Sequence, residues 1–323
     1  MREITYAEAM AEALYEIMEA DERVQLIGGY FLGLSPKRVL LNRLRETFPS
    51  RVFDPPISEA GYCGLATGAA MAGLRPIVDI GTASFLFQAF PQVVNEAANA
   101  YYMTGGQTRV PVVFHILHGI RGGGASQHSH SPQAMLWNSP GLEIALPSSP
   151  GDVKGLLKTA VRSDNPTVFV SHARLFEVTG PVPDGDYAIP FGQADLKRRG
   201  KDVTVVATSL MVQRALCAAD QLAKEGVEVE VVDLRTLVPL DKRTLLESVA
   251  KTGRVVVADE CHRSCGVAAE LAAIVAEEGF NYLKAPIKRV TALDVPVPFS
   301  RPMEAYMEPS EEKIVAAARS VLG

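Results

Sequence analysis

The chain has 323 residues, of which 47% are hydrophobic and 21% charged, and its formal net charge is -5. This length accommodates two domains, and the composition is that of a globular protein rather than a disordered one. No stretch reaches the roughly 18 consecutive apolar residues of a membrane span, and no basic cluster offers a surface to phosphate backbones. We therefore expect neither a membrane nor nucleic acid as a partner. Four Cys are too few for a disulfide framework and the first residues lack a signal-peptide pattern, so we expect a reducing cytoplasm.

Short β-branched runs alternate with amphipathic helical stretches in the first part of the chain. Thr5 is a helix N-cap residue, and the apolar residues that follow it at helical spacing predict a buried helix. Strands are predicted over residues 24–27, 77–80, 110–116 and 167–170, with helices over 37–48 and 92–103. This order predicts a parallel, doubly wound sheet.

Residues 179–192 contain a Pro- and Gly-rich segment without sustained periodicity, which is typical of a linker. Beyond it, strands predicted over 203–207, 227–232 and 254–258 alternate with helices over 211–224, 242–251 and 266–278. The sequence therefore predicts an α/β protein of two doubly wound domains, residues 1–178 and 193–323.

Glu59 lies in the segment DPPISEAGYCGLATGAAMAG, which follows a predicted strand. Two prolines stiffen the approach, Ser58 is placed to cap a helix, and the Gly and Ala of that helix permit close packing. By itself, Glu59 is an ordinary first-turn carboxylate at the positive end of a helix dipole. Because ligands of parallel sheets bind beyond the carboxyl ends of the strands, the position is also a candidate for chemistry.

A second loop, LHGIRGGGASQHSHSP, follows a predicted strand. It contains three consecutive glycines together with His118, His128 and His130. The glycines could cradle a phosphate, but no Lys-Ser or Lys-Thr follows as in a P-loop. His115, His118, His128 and His130 suggest zinc, although no Cys or carboxylate stands at ligand spacing. A mobile lid carrying one catalytic His is the favoured interpretation.

The first-strand loop, Gly28 to Gly33, offers a weaker signal. It lacks the G-x-G-x-x-G spacing of a dinucleotide-binding site, so nicotinamide binding is disfavoured.

Several long segments carry a resemblance that covers nearly the whole chain. The stretches RVFDPPISEAGYCGLATGAAMAGLRPIVDI, GGGASQHSHSP and DLRTLVPLD resemble the beta chains of 2-oxo acid dehydrogenase first components, which are transketolase-like thiamine diphosphate proteins. The resemblance implies a transketolase-like pyrimidine-binding domain followed by a transketolase C-terminal-type domain.

The resemblance also implies roles for individual residues. Glu59 matches the family Glu that contacts N1' of the cofactor's aminopyrimidine, where it helps the 4'-amino group to act as a base toward the thiazolium C2 proton. Phe85 and Ile57 are implied as further cofactor-binding residues, and His128 matches a catalytic family histidine that faces the thiazolium. No metal ligand is assigned to this chain.

One family motif is missing. The superfamily binds the cofactor's diphosphate through Mg²⁺ with a Gly-Asp-Gly motif, and the only near match is Asp184-Gly185-Asp186 in the predicted linker. The resemblance therefore implies an alpha chain that holds Mg²⁺ and the diphosphate, with thiamine diphosphate shared between the two chains of an α2β2 heterotetramer.

Positions near the implied pocket depart from the family pattern. They are Gly29, Gly81, Gln88, His130 and Ser171. The expected activity is decarboxylation of a small 2-oxo acid and transfer of the acyl group to a lipoyl-carrying transacylase. Two alternatives stay open: carboligation that forms an acyloin, and a non-catalytic scaffold subunit, against which the retention of Glu59 argues.

Overall fold

The chain folds into two units in the computed structural model, which describes residues 1–28, 31–33 and 35–323. The first unit comprises Met1–His118 and Met135–Phe191, and the second comprises Gly119–Ala134 and Gly192–Gly323. Residues 119–134, the Gly-rich loop that carries His128, thus group with the second unit. The residues on either side of this loop belong to the first unit. Among the described residues, no helix is long and apolar enough to cross a membrane.

The described residues of the range 1–191 form strands and α-helices, with short 3₁₀- and π-helices between some of them. The strands are β1 (Arg2–Thr5), β2 (Val24–Ile27), β3 (Val52–Phe53), β4 (Arg75–Thr82), β5 (Val113–His118), β6 (Glu143–Ala145), β7 (Thr167–His172) and β8 (Thr179–Val182). The α-helices are α1 (Tyr6–Ala20), α2 (Asn42–Thr47), α3 (Glu59–Met71), α4 (Ala98–Met103), α5 (Gln133–Trp137) and α6 (Pro150–Arg162).

The first unit is built on a parallel sheet in which the described strands run in the order β3-β2-β4-β5-β7-β6. β5 and β7 are buried along their whole length, as expected of central parallel strands. The strands β1 and β8 pair antiparallel, so the segment predicted as a linker contains a strand.

Thr5 is the N-cap residue of α1, as the sequence predicts. Its hydroxyl accepts a hydrogen bond from the backbone N–H of Glu8, whose carboxylate accepts from the N–H of Thr5 at 2.8 Å, and this makes a capping box. The buried face of the helix, which includes Met10 and Leu14, packs against α6. The predicted buried helix is confirmed.

Two predicted helices are interrupted. The helix predicted over 37–48 is a 3₁₀-helix, Pro36–Leu41, followed by α2, and the one predicted over 92–103 is a π-helix, Pro91–Ala97, followed by α4. Each irregular segment begins at a proline, but so does the regular helix α6, so proline at the first position does not account for the irregularity. Hydrophobic periodicity alone does not distinguish these forms from an α-helix.

Residues 192–323 form strands and α-helices and one short 3₁₀-helix, Phe280–Tyr282. The strands are β9 (Asp195–Arg198), β10 (Val203–Ala207), β11 (Val229–Asp233), β12 (Thr236–Val238), β13 (Val255–His262) and β14 (Lys288–Ala292). The helices are α7 (Leu210–Ala223), α8 (Lys242–Thr252), α9 (Val267–Glu278), α10 (Arg301–Met307) and α11 (Glu311–Leu322).

The second unit has a five-stranded sheet in the order β14-β13-β10-β11-β9. Its strands are parallel except for β9, which pairs antiparallel with β11 at the edge. Valines of β10, β11 and β13 form a buried core with α7 and α11. The α/β prediction is confirmed for this unit as it is for the first.

Candidate active site

Glu59 is the first residue of α3 in the first unit. Ser58 precedes it at the N-cap position, but its side chain makes no capping hydrogen bond, so the capping expectation is wrong. Its hydroxyl lies instead over Gly61, where an added Cβ would come within 2.8 Å of it.

The Glu59 carboxylate is half-buried and available to a ligand. Within the described part of the chain, no hydrogen bond or ion pair engages it. The nearby Cys63 thiol has its pKa raised to about 12, first by burial and then by the negative charge of Glu59. A carboxylate at a helix start without an internal partner is suited to a hydrogen bond with a bound group.

Phe85 lies beside the helix that begins with Glu59. It belongs to the 3₁₀-helix Ala83–Gln88, which continues from the end of β4 and contacts α3. Its side chain is half-buried, whereas Ile57, two residues before Glu59, is 84% exposed. The first unit therefore places Glu59, Phe85 and Ile57 on neighbouring elements at the end of the sheet where the strands finish.

His128 lies in the second unit, at the end of the 3₁₀-helix Ser126–His128, and is exposed. Two contacts close the loop that carries it. The Arg121 side chain donates to the His128 carbonyl at 3.2 Å, and the Gly119 N–H donates to the His130 carbonyl at 3.1 Å. The histidine is thus presented on a folded loop.

The glycine triplet has a structural explanation. Gly122 and Gly123 have φ of +89° and +78°, a conformation that favours glycine, and their N–H groups donate to the Glu304 carboxylate at 3.2 and 2.8 Å. A Cβ at Gly124 would lie 3.2 Å from the His128 carbonyl oxygen. The donors considered for a phosphate are therefore bound to a carboxylate of the same chain.

Comparison with known proteins gives the family of the chain. Residues 2–178 match the transketolase pyrimidine-binding domain, and residues 192–314 match the transketolase C-terminal domain. The pyruvate dehydrogenase E1 component subunit beta of Rickettsia felis is 43% identical over 320 residues, which cover 99% of this chain and 98% of that protein. The chain belongs to the beta chains of 2-oxo acid dehydrogenase first components.

One further relative and one solved structure are similar to this chain over most of its length. The acetoin:2,6-dichlorophenolindophenol oxidoreductase subunit beta of Cupriavidus necator is 47% identical over 272 residues, covering 84% of this chain and 80% of that protein. A solved structure described as a split gene transketolase, inactive beta4 tetramer, superimposes with a TM-score of 0.81 at 26% identity, covering 99% of this chain and 98% of that one. The transketolase-like two-domain fold expected from the sequence is confirmed.

The other histidines of this beta chain have separate surroundings. Inside the first unit, His115 Nδ1 is hydrogen-bonded to the Asp79 carboxylate at 3.1 Å. The His118 ring meets the His172 ring edge-on, with centroids 5.1 Å apart. In the second unit, the pKa of His130 is lowered first by burial and then by the nearby His262. Nowhere in the described residues do three or more His, Cys, Asp or Glu gather as a metal site.

The departures from the family pattern fall in different environments. The Gly81 N–H donates to the Asp79 carboxylate at 3.0 Å, and Ser171 accepts from the Tyr6 hydroxyl at 3.2 Å. Gln88 is exposed at the end of the turn that carries Phe85, and position 29 lies outside the described residues. Gly81 and Ser171 therefore belong to the buried interior of the first unit, whereas Gln88 faces its surface.

The Asp184-Gly185-Asp186 segment, the near match to the diphosphate motif, is engaged in ion pairs. Asp184 pairs with the N-terminal ammonium at 3.1 Å, and Asp186 pairs with Lys158 at 2.7 Å and Arg162 at 2.9 Å. These carboxylates hold the end of the first unit to α6 and to the N-terminus.

Two residues that support the Gly-rich loop are not indicated by the sequence. Glu304 on α10 binds Gly122 and Gly123, and Glu260 on β13 accepts from the Ile120 N–H at 2.8 Å. Both glutamates are buried. Their partners are more than a hundred residues away along the chain, so no local pattern indicates them.

Proposed function

We propose that this chain is the beta subunit of a thiamine diphosphate-dependent 2-oxo acid dehydrogenase first component. The observation that carries the proposal is the Glu59 carboxylate, which begins α3 in a pyrimidine-binding domain and has no partner among the described residues. Beta chains named for pyruvate and acetoin enzymes, both over 40% identical, support the reaction class.

The residues around Glu59 fit the cofactor's aminopyrimidine. Glu59 would hold a proton at N1', Phe85 would offer an aromatic face, and Ile57 would add an exposed apolar contact. When bound, thiamine diphosphate supplies a nucleophilic carbon and an electron sink for the bond that breaks on decarboxylation. The part of this chain is to hold the ring and to set its protonation at N1' through Glu59.

His128 is proposed as the second catalytic residue. It is exposed on a loop whose backbone is held by hydrogen bonds. An imidazole in this position is suited to hold the substrate carboxylate or to pass a proton to the acyl acceptor. The loop places the ring without burying it.

An alpha chain is proposed as the partner that completes the site. The sequence lacks the Gly-Asp-Gly diphosphate motif, so Mg²⁺ and the diphosphate are assigned to that partner in an α2β2 assembly. Large apolar side chains stand exposed on the first unit: Ile57 84%, Leu65 64%, Tyr102 88% and Met103 78%. A partner bound to this unit would cover these apolar side chains.

A lipoyl-carrying transacylase is proposed as the acyl acceptor. In the second unit, Phe280, Phe299 and Tyr306 are exposed and supply apolar surface for docking of such a protein.

A second candidate function is carboligation, in which the acyl group is joined to another carbonyl compound to form an acyloin. The acetoin oxidoreductase relative at 47% identity favours it, as do the departures at Gly81, Gln88 and His130. Both functions require Glu59, and they differ in the compound that gives or receives the acyl group.

The direct test replaces Glu59 in the assembled enzyme. We expect Glu59→Gln, co-purified with the alpha chain, to lose roughly 10²–10⁴-fold in activity toward pyruvate or branched 2-oxo acids with an artificial electron acceptor. Glu46→Gln, an exposed Glu on α2, is the matched control and should leave activity unchanged. Activity of Glu59→Gln within a few-fold of the parent would overturn the catalytic assignment.

Two further measurements separate the remaining parts of the proposal. Formation of an acyloin from a 2-oxo acid and an aldehyde, without reduction of the artificial electron acceptor, would favour the second function. Micromolar binding of thiamine diphosphate by the purified beta chain alone would contradict the shared site.

A further inference from the structure

The Gly-rich loop of the second unit is held by a carboxylate from a distant helix. Glu304 on α10 is only 4% exposed, and its two carboxylate oxygens accept separately from the N–H groups of Gly122 and Gly123. Successive backbone N–H groups in a turn form a concave anion-binding nest. In this chain, the anion bound by these N–H groups is the Glu304 carboxylate.

The base of the same loop is fixed by two further contacts. The Ile120 side chain is buried in an apolar cluster with Ala292, Val297 and Met307, the last residue of α10. The Ile120 N–H donates to the buried Glu260 carboxylate at 2.8 Å. The loop is therefore attached to the second unit by one apolar side chain and by two carboxylates.

The residues on either side of Gly122 and Gly123 contact the backbone of His128. Gly124 follows directly, and its backbone lies so close to residue 128 that a Cβ on it would be 3.4 Å from the His128 Cβ. Arg121, directly before the glycines, donates to the His128 carbonyl at 3.2 Å. A shift of the glycines therefore moves the histidine backbone from both sides.

We infer that Glu304 is a positioning residue for His128: it binds the glycine nest and so fixes the backbone from which the histidine projects. The inference rests on the proposed catalytic role of His128. A carboxylate suits the position because it offers two acceptors and no donor to two N–H groups, whereas an amide offers one acceptor and places its NH₂ against the second N–H.

The test compares Glu304→Gln, Glu304→Asp and the control Glu270→Gln in the assembled enzyme. Glu270 is an exposed glutamate in the first turn of α9. Hydrogen exchange is measured by mass spectrometry on peptides that cover residues 119–131, and steady-state kinetics give kcat and KM for the 2-oxo acid. Exchange of the cofactor's C2 proton, which depends on Glu59, is measured in parallel.

We expect Glu304→Gln to speed exchange at Gly122 and Gly123 by about tenfold or more, because hydrogen bonds to charged groups are stronger than neutral ones. We expect kcat to fall by about tenfold or more while C2 proton exchange is unchanged. Glu304→Asp keeps both acceptors on a shorter side chain, so its loop exchange rate and its kcat should lie between those of the parent and those of Glu304→Gln. It also provides the comparison if Glu304→Gln does not fold.

The inference would be overturned if the loop of both Glu304 variants exchanged hydrogen at the same rate as the loop of the parent. It would also be overturned if exchange became faster while kcat stayed unchanged. Failure of the proposed function has a different signature. In that case, the parent assembly would turn over no 2-oxo acid and Glu59→Gln would have no effect, whatever the loop exchange shows.

Discussion

His115 and Asp79 form a hydrogen bond of 3.1 Å in which both side chains are completely buried. The pair joins β5 to β4, and the His115 ring stacks on Phe31 with ring centroids 4.7 Å apart. The second ring nitrogen of His115 and the second carboxylate oxygen of Asp79 are buried without a hydrogen-bond partner among the described residues. Among the described residues, this bond is the one hydrogen bond of the His115 ring, whereas the Asp79 carboxylate also accepts from the Gly81 N–H at 3.0 Å.

We expect Asp79→Ala and His115→Ala each to lower the free energy of unfolding by roughly 2–4 kcal/mol, because each leaves a buried polar group unsatisfied and opens a cavity. The double variant should cost less than the sum of the two, with a coupling energy of about 1–3 kcal/mol. Chemical denaturation of the four proteins measures this.

Asp164→Ala serves as the control for that cycle, because Asp164 forms an ion pair with Arg75 at 2.6 Å while its side chain is 53% exposed. Its loss should cost under about 1 kcal/mol. Strictly additive effects of Asp79→Ala and His115→Ala would show that the two groups do not interact.

The closest approach within the Gly-rich loop gives a second prediction. A Cβ at Gly124 would lie 2.7 Å from the Ser129 hydroxyl oxygen and 3.2 Å from the His128 carbonyl oxygen. We therefore expect Gly124→Ala to shift the loop and to lower kcat of the assembled enzyme by about tenfold or more.

Adding Ser129→Ala removes the nearer of the two contacts, so the double variant should recover part of the lost kcat. Steady-state kinetics of both variants test this. An unchanged kcat for Gly124→Ala would mean that activity does not depend on the loop backbone at this point.

The exposed face of α3 gives a third prediction. Gly68 on this face has no atom within 4 Å of an added Cβ, and Leu65 stands 64% exposed. In the beta chain alone, Gly68→Ala should raise the free energy of unfolding by up to about 1 kcal/mol, because alanine is the better helix former.

In the presence of the alpha chain, the same substitution should weaken assembly, and Leu65→Asp should weaken it further, because a charge would be buried at the contact. Sedimentation analysis of the mixed chains measures assembly. If both variants assemble like the parent, the alpha chain binds elsewhere.

Asp259 gives a prediction about pH. Complete burial raises the pKa of its carboxyl from 3.8 to about 6, and hydrogen bonds from Cys261 offset part of that rise. Between these two values, the folded state holds a proton that the unfolded state has released. The free energy of unfolding therefore falls as pH rises from about 4 to about 6, and then levels off.

A shift of this size corresponds to about 3 kcal/mol, so Asp259→Asn should stabilise the chain near pH 8 and have little effect near pH 4. Thermal unfolding of parent and variant at the two pH values provides the measurement. Equal changes in melting temperature at both pH values would contradict the assignment.

Local features of the structure follow closely from the sequence. The Thr5 capping box and the start of α3 at Glu59 rest on residues within a few positions of each other, and β10 has the predicted bounds, Val203–Ala207. Each of these depends on local backbone hydrogen bonding or on the period of apolar side chains, which a single sequence displays.

Features that depend on distant partners do not follow from the sequence. Nothing in the local sequence distinguishes Glu304 from other helical glutamates. The fold places its carboxylate 2.8 Å from the Gly123 N–H. The sequence disfavoured a phosphate at the glycine triplet, and the N–H groups of Gly122 and Gly123 bind a carboxylate of this chain. The family resemblance supplied the roles of Glu59 and His128, which stay predictions until variants are measured.

The path of the chain between its two units limits how it can be divided. The backbone leaves the first unit after His118, contributes Gly119–Ala134 to the second, returns at Met135 and leaves again after Phe191. A fragment that begins at residue 192 would keep Glu260 and Glu304 and lose the N–H groups that they bind. Recombination of whole halves between relatives would therefore pair a loop from one parent with carboxylates from the other, so residues 119–134 have to be inherited with the second half.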